Sequence, residues 1–254
     1  MLCSITKYIM MQDTTNKNGG LKEAFDYVAY GSAEAGDPAH QLVILLHGIG
    51  FDGHIMKKMA QEVTTLLPQA LIIAPHGPES YDPSPHQNDD ILKAPQIQTE
   101  IATSYNSRQW FDFSGNSAAV YAKLSPLAKK MNSFIDNKRD ALGLQDKDIA
   151  IMGFSQGAGV GLCTAYLRNQ EIACAVGHST LFLSETEVNS KPPTLFIYGA
   201  DDLEFSLTAY KESIKNIKAH AAALDVIEVP GLDHRTNSAT RQAAAQFIAR
   251  HLTP

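Results

Sequence analysis

The chain predicts an α/β fold: a mostly parallel, doubly wound sheet flanked by helices, built as a single domain over residues 23–254. Three observations carry this. Short apolar runs alternate with stretches of helical periodicity along the chain, as repeated β-α units do. Several of these runs are apolar throughout, the pattern of strands covered on both faces. No repeat of 20–50 residues and no low-complexity tract interrupts the alternation. With 254 residues, 44% of them hydrophobic, the chain can bury a substantial core.

Residues 1–22 read as a loose tail. Phe25 to Tyr30 alternates like a half-exposed strand, Leu42 to Leu46 is wholly apolar, and Ala70 to Ala74 is a second apolar run closed by Pro75. Met56 to Leu67 has helical spacing, and Ser117 to Leu142 is a long amphipathic helix. Ile149 to Met152 is a buried strand, followed by an apolar helix from Gln156 to about Asn169. Further strands are expected at Ile172 to Val176, Thr194 to Tyr198 and Asp225 to Val229, with helices near Ser206 to Leu224 and at Ser238 to Leu252. The connection at 79–107 contains Pro83, Pro85, Pro95 and Asp89-Asp90 and reads as a lid or flap insertion. His86, Asp89 and Asp90 within it have no fixed ligand spacing, so no metal is expected.

The formal net charge of −6 leaves no basic footprint for nucleic acid or for a membrane surface. Three cysteines, Cys3, Cys163 and Cys174, cannot form a disulfide framework, and the latter two lie in apolar runs that suit buried thiols. Met1 to Gln12 is interrupted by Thr6 and Lys7 and has no small-residue cleavage site, so a cytoplasmic protein without stable membrane insertion is expected.

The chemistry is carried by Gly153-Phe154-Ser155-Gln156-Gly157, one serine at the break between an apolar strand and a small-residue helix start. A sharp strand-to-helix turn projects the serine hydroxyl above the sheet and needs very small residues two positions to either side. Ser155 is therefore the candidate nucleophile. A helix starting at Gln156 turns its free N–H groups and positive dipole end toward charge developing beside that hydroxyl. After the run Leu42 to Leu46 comes His47-Gly48-Ile49-Gly50-Phe51-Asp52-Gly53, a loop whose backbone can approach a substrate. The amides of Ile49 and Gln156 are candidate oxyanion donors.

Active groups in such sheets gather at the carboxyl ends of strands. Of nine histidines, His47, His76 and His178 follow strands, but the order nucleophile, acid, base requires one that comes late. His234, in Gly231-Leu232-Asp233-His234-Arg235 beyond the strand ending at Val229, meets it. The acid should end the strand Thr194 to Tyr198, where Asp201 and Asp202 are adjacent and spacing does not choose between them. Asp233 suits a turn role instead.

The chain resembles the phospholipase/carboxylesterase family of α/β-hydrolases, which includes the acyl-protein thioesterases. The likeness spans about residues 40–252. It rests on Leu46-His47-Gly48-Ile49-Gly50 with Gly53, Ala74-Pro75-His76-Gly77-Pro78, Arg108-Gln109-Trp110-Phe111-Asp112, Gly153-Phe154-Ser155-Gln156-Gly157 and Gly231-x-x-His234. The resemblance implies an α/β-hydrolase fold, a triad of Ser155, Asp202 and His234, oxyanion donors Ile49 and Gln156, and a substrate-facing group of His47, Gly48, Trp110 and Phe111, with the last two beside the acyl pocket. Two departures stand out: Tyr198 occupies a position where the family usually has histidine, and Leu203-Glu204-Phe205 follows the acid in place of a Pro-Val-Val-like segment.

The expected function is hydrolysis of carboxylic esters or thioesters of small to medium acyl chains through an acyl-enzyme, with no cofactor. The partner is then a small-molecule or lipid ester substrate, and a homodimer is left open. Acyl-protein thioesterase or lysophospholipase activity is the alternative chemistry, and a non-catalytic binding module on the same scaffold the alternative class.

Overall fold

The computed structural model describes residues 23–31, 38–82, 106–183 and 185–252. The expected tail at 1–22, Cys3 and most of the 79–107 insertion, including His86, Asp89 and Asp90, lie outside the described residues.

The strands are β1 (Tyr27–Tyr30), β2 (Gln41–Leu46), β3 (Ala70–Pro75), β4 (Glu79–Ser80), β5 (Arg108–Gln109), β6 (Ile149–Phe154), β7 (Cys174–His178), β8 (Thr194–Gly199) and β9 (Leu224–Val229). The helices are α1 (Lys57–Leu66), α2 (Ser117–Leu142), α3 (Gln156–Leu167), α4 (Leu207–Lys218) and α5 (Ser238–Leu252). The main sheet runs β1-β3-β2-β6-β7-β8-β9. Only the β1–β3 pairing is antiparallel, and the others are parallel, as doubly wound sheets require. Strand order reverses between β2 and β6, where Leu46 is in register with Gly153. This switch point places the loop after β2 beside the turn after β6, the crevice in which such sheets bind ligands.

The apolar strands feed two cores, because successive side chains on a strand point to opposite faces. Leu42, Ile44 and Leu46 pack with Leu124 and Phe134 of α2 and with Val160 and Leu162 of α3. Val43 and Leu45 pack on the other face with Met59 and Val63 of α1 and Phe247 and Ile248 of α5. Helix α2 covers the span its periodicity predicts because both ends are marked in the sequence. The Asn116 side chain accepts from the Ala119 N–H at 3.0 Å, and Gly143 leaves the helix at φ 67°.

Three of the boundaries that differ from expectation have a local reason. β7 starts and ends two residues later than the apolar run Ile172 to Val176, because its parallel register with β6 carries pairing on to Phe154 and His178. Helix α4 stops at Lys218, well short of Leu224, since the chain turns there and the Ala223 carbonyl accepts from Thr194 N–H to lead into β9. Strand β1 is shorter than Phe25 to Tyr30, with Phe25 packed into the core against Trp110 and Phe134.

Cys163 and Cys174 are buried free thiols, and burial pushes both up to about 12, so neither is a thiolate at neutral pH. Among the described residues no helix is long and apolar enough to cross a membrane.

Candidate active site

Ser155 sits between β6 and α3 with φ 51° and ψ −123°, a strained conformation for a residue with a Cβ. Tertiary contacts hold it there: its N–H donates to the His178 carbonyl at 2.9 Å, and its own carbonyl accepts from Ala158 and Gly159. The flanking glycines are required by backbone contact rather than by the serine itself. A Cβ on Gly157 would lie 2.3 Å from the His47 carbonyl oxygen, and one on Gly153 would lie 2.4 Å from the Ala158 nitrogen. Strand, helix and loop can pack this closely only with nothing between them.

The residues expected to act together meet. His234 Nε2 lies 2.8 Å from Ser155 Oγ, and His234 Nδ1 lies 2.8 Å from Asp202 Oδ2. The ring has Phe154 on one side, with centroids 5.2 Å apart, and Phe205 edge-on at 5.6 Å. Geometry also separates the two adjacent carboxylates. Asp202 is buried, whereas Asp201 is exposed and contributes its N–H to the Leu232 carbonyl. Asp233 pairs with Arg235 in the turn, as expected of it.

Asp202 is held by donors on both oxygens. Oδ1 accepts from the N–H groups of Glu204 and Phe205 at 2.8 and 3.1 Å, and Oδ2 accepts from His234 and from the Tyr210 hydroxyl at 2.5 Å. Burial works to raise the pKa of this carboxyl, but the bonds from His234, Tyr210 and Phe205 outweigh it and hold the carboxyl below its ordinary value. The Leu203-Glu204-Phe205 segment thus does its work through backbone N–H groups, which explains why an unusual side-chain sequence fits there. Tyr198 stacks on Tyr210 at 4.5 Å and donates to Glu228 at 2.6 Å.

The loop after β2 is fastened by a frame of buried hydrogen bonds. His47 Nδ1–H donates to the Gly48 carbonyl at 2.8 Å while Nε2 accepts from Gly77 N–H at 2.8 Å. Trp110 Nε1 donates to the His47 carbonyl at 2.7 Å. The Gln156 side chain accepts from Trp110 N–H at 2.8 Å and donates to the Phe111 carbonyl at 2.7 Å. This corrects the substrate-facing expectation for His47 and Trp110: they are 0% and 1% exposed, their polar atoms are spent inside the protein, and they position the loop from beneath. Phe111 is buried too, while Gly48 lies on the Ser155 side, where an added Cβ would come within 3.5 Å of the serine Cβ. The amide of Gln156 opens α3 and has no acceptor within the helix. Among the described residues the Ile49 N–H makes no backbone hydrogen bond.

Burial depresses His47 to about 4 and His178, which also feels His234, to about 3, so both are neutral in the native state. An unfolded histidine takes a proton near pH 6.5, and these two resist it while folded. Their contribution to stability is therefore complete above about 6.5 and is lost as the pH falls toward 4 and 3. Each should cost up to about 1.4 kcal/mol per pH unit within that window. Urea unfolding at pH 7 and 5 checks this, with uptake approaching two protons on unfolding at pH 5; a flat profile would contradict it.

Among the described residues, Asp52, His54 and His76 have metal-like composition, with ligand atoms within 4.8 Å of one another. Their known contacts are loop fastenings: Asp52 Oδ1 accepts from the His54 N–H and pairs with its ring, and His76 Nδ1 accepts from Gly53 N–H. A recess of about 390 Å³, lined by Phe25, Asp26, His76, Pro78, Arg108 and Lys130 among others, does not include Ser155.

The sequence matches the phospholipase/carboxylesterase family over residues 32–90 and 83–252. The chain belongs to that family. The fold is accordingly that of the α/β-hydrolases, and family membership makes the protein an esterase-type hydrolase. Similar solved structures agree on the architecture. Esterase PE8 superposes with a TM-score of 0.72 at 21% identity, covering 88% of this chain and 97% of its own. SOBER1 of Arabidopsis thaliana gives 0.67 at 20%, covering 85% and 100%. A Bacillus cereus carboxylesterase gives 0.66 at 14%, covering 89% and 94%.

Sequence reasoning missed Tyr210, Ser179 and the supporting role of the Gln156 side chain. The sequence marks His178 only as a residue that follows a strand. Nothing in the local sequence marks Tyr210 beyond its place on an amphipathic helix.

Proposed function

We propose that this chain hydrolyses carboxylic esters or thioesters of small to medium acyl groups through an acyl-enzyme on Ser155. The observation that carries the reading is the continuous line Ser155 Oγ, His234, Asp202, with 2.8 Å at each step. In the first step His234 Nε2 takes the hydroxyl proton as Oγ bonds to the acyl carbon. The carbonyl oxygen becomes negative and is met by the N–H groups of Ile49 and Gln156, each worth about 3–4 kcal/mol to the transition state. Collapse breaks the bond to the alcohol or thiol, which leaves with the proton from His234. Water then attacks the acyl-enzyme, giving its proton to His234, and the released acid regenerates Ser155. Asp202 steadies the imidazolium in both steps.

An apolar acyl group suits the surroundings. Phe113 and Leu203, on the segments that carry Phe111 and Asp202, leave large apolar side chains 52% and 85% exposed. The decisive test is labelling with a fluorophosphonate, which needs both an activated serine and oxyanion donors. One adduct on Ser155 in the folded protein is expected. Folded protein without that adduct would favour a binding module instead, and a series of esters and thioesters of graded chain length would then define the acyl preference of an active enzyme.

A further inference from the structure

The carboxylate facing His234 is itself the end of a longer buried line. The Tyr210 hydroxyl donates to Asp202 Oδ2 at 2.5 Å, Ser179 lies against Tyr210, and His178 Nδ1 lies 3.0 Å from Ser179 Oγ. Tyr210, Ser179 and His178 are all fully buried. Donor directions follow from chemistry. An ionised Asp202 only accepts, so Tyr210 gives it its one hydrogen. Ser179 Oγ accepts from His178 Nδ1–H, the assignment that leaves no N–H of the ring buried without a partner. His178 is thereby fixed as the Nδ1–H tautomer, with Nε2 a bare acceptor. Nε2 is indeed the buried atom of that ring without a hydrogen-bond partner among the described residues, and no N–H is left buried and unmatched.

The backbone points the same way. Among the described residues, the only non-glycine positions with positive φ are Ser155 at 51° and Ser179 at 50°. The His178 carbonyl holds the Ser155 N–H at 2.9 Å, and the Ser179 N–H is anchored on the Ile197 carbonyl at 2.8 Å. One strained dipeptide at the end of β7 therefore supports the nucleophile through its backbone and the acid through its side chains. Strain of this kind persists only where the surrounding structure enforces it.

We infer that Tyr210, backed by Ser179 and His178, is a positioning residue that fixes which oxygen of Asp202 faces His234 and restrains how much of its charge the imidazolium receives. The inference rests on the triad reading above. The titratable groups around Asp202 are His234 beyond β9, Tyr210 on α4, His178 at the end of β7 and Glu204 on its own loop.

The variant Tyr210→Phe keeps the ring and removes the donor. Ester hydrolysis should then show kcat lower by about tenfold, the scale of a lost supporting bond, with KM unchanged within about twofold. With one donor gone, Oδ2 offers more charge to the protonated ring, so loss of the free base sets in at higher pH. The acid limb of kcat/KM should move up by about half a pH unit. Ser179→Gly, which removes the hydroxyl and relieves the backbone, should move it the same way by less, and provides the test if Tyr210→Phe folds poorly. Tyr198→Phe, which keeps the stack on Tyr210 but does not touch Asp202, should leave kcat and the pH profile as in wild type. Either an unchanged Tyr210→Phe enzyme or a fall in kcat with the acid limb unmoved would overturn the inference. Activity persisting in Ser155→Ala would instead overturn the triad reading beneath it.

Discussion

Replacing Ser155 with alanine should abolish ester hydrolysis, lowering kcat by about 10⁵-fold or more, while leaving the protein folded. The size follows from the role: without Oγ no acyl-enzyme forms, and only the oxyanion donors and substrate binding remain to help water attack directly. The fold should tolerate the change because the strain at Ser155 belongs to the backbone. Alanine carries the same Cβ at φ 51°, and the contacts that enforce that conformation, from Ser155 N–H to His178 and from Ala158 and Gly159 to the Ser155 carbonyl, involve no side-chain atom of the serine. The thermal midpoint should stay within about 2 °C of wild type. Steady-state hydrolysis of an activated ester, with circular dichroism on the same sample, checks both parts. Wild-type turnover in a folded Ser155→Ala protein would remove the assigned nucleophile.

Asp202→Asn should cost about 10⁴-fold in kcat, the scale on which such a triad loses activity when its acid becomes an amide. The amide can turn its NH₂ toward His234 Nδ1, and the ring then carries its proton on Nε2, where it cannot accept from Ser155. Turning the amide the other way would bring NH₂ against the Glu204 and Phe205 N–H groups that now donate to Oδ1. Neither orientation restores an acceptor on both sides. Asp201→Asn provides the contrast, since that side chain is exposed and, among the described residues, its backbone N–H is what is engaged, by the Leu232 carbonyl. It should stay within about twofold of wild type. Equal losses in the two variants would reject Asp202 as the acid.

The legibility of this site in the sequence varied with how local each feature was. The turn carrying Ser155 is encoded in five residues because a strand, a break and a helix start must all be spelled out next to one another. His234 could be picked from nine histidines because the chain order nucleophile, acid, base requires a histidine after the last strand. Asp201 and Asp202 could not be separated by spacing, since both follow β8 and differ only in which way the turn after Gly199 aims them. His47 and Trp110 were expected to face substrate, yet they lie beneath the loop with every polar ring atom matched. Motif membership located them near the site but carried no information about which side of the loop they occupy.

What the sequence determined by itself was the strands of the main sheet and the helices around it, their alternation into a doubly wound sheet, and the chain positions where reactive groups could stand; the short β4–β5 pair was not among them. Those follow from side-chain periodicity and from residues such as Gly143 and Asn116 that mark ends locally. What only the tertiary structure decided was orientation: which carboxylate meets His234, which aromatic rings are buried, and that a tyrosine in the first turn of α4, eight residues beyond Asp202, reaches back to it. Orientation depends on how elements distant in the chain pack against one another, and a hydrogen bond is made or lost over less than an ångström, a tolerance that no linear pattern of residue types specifies.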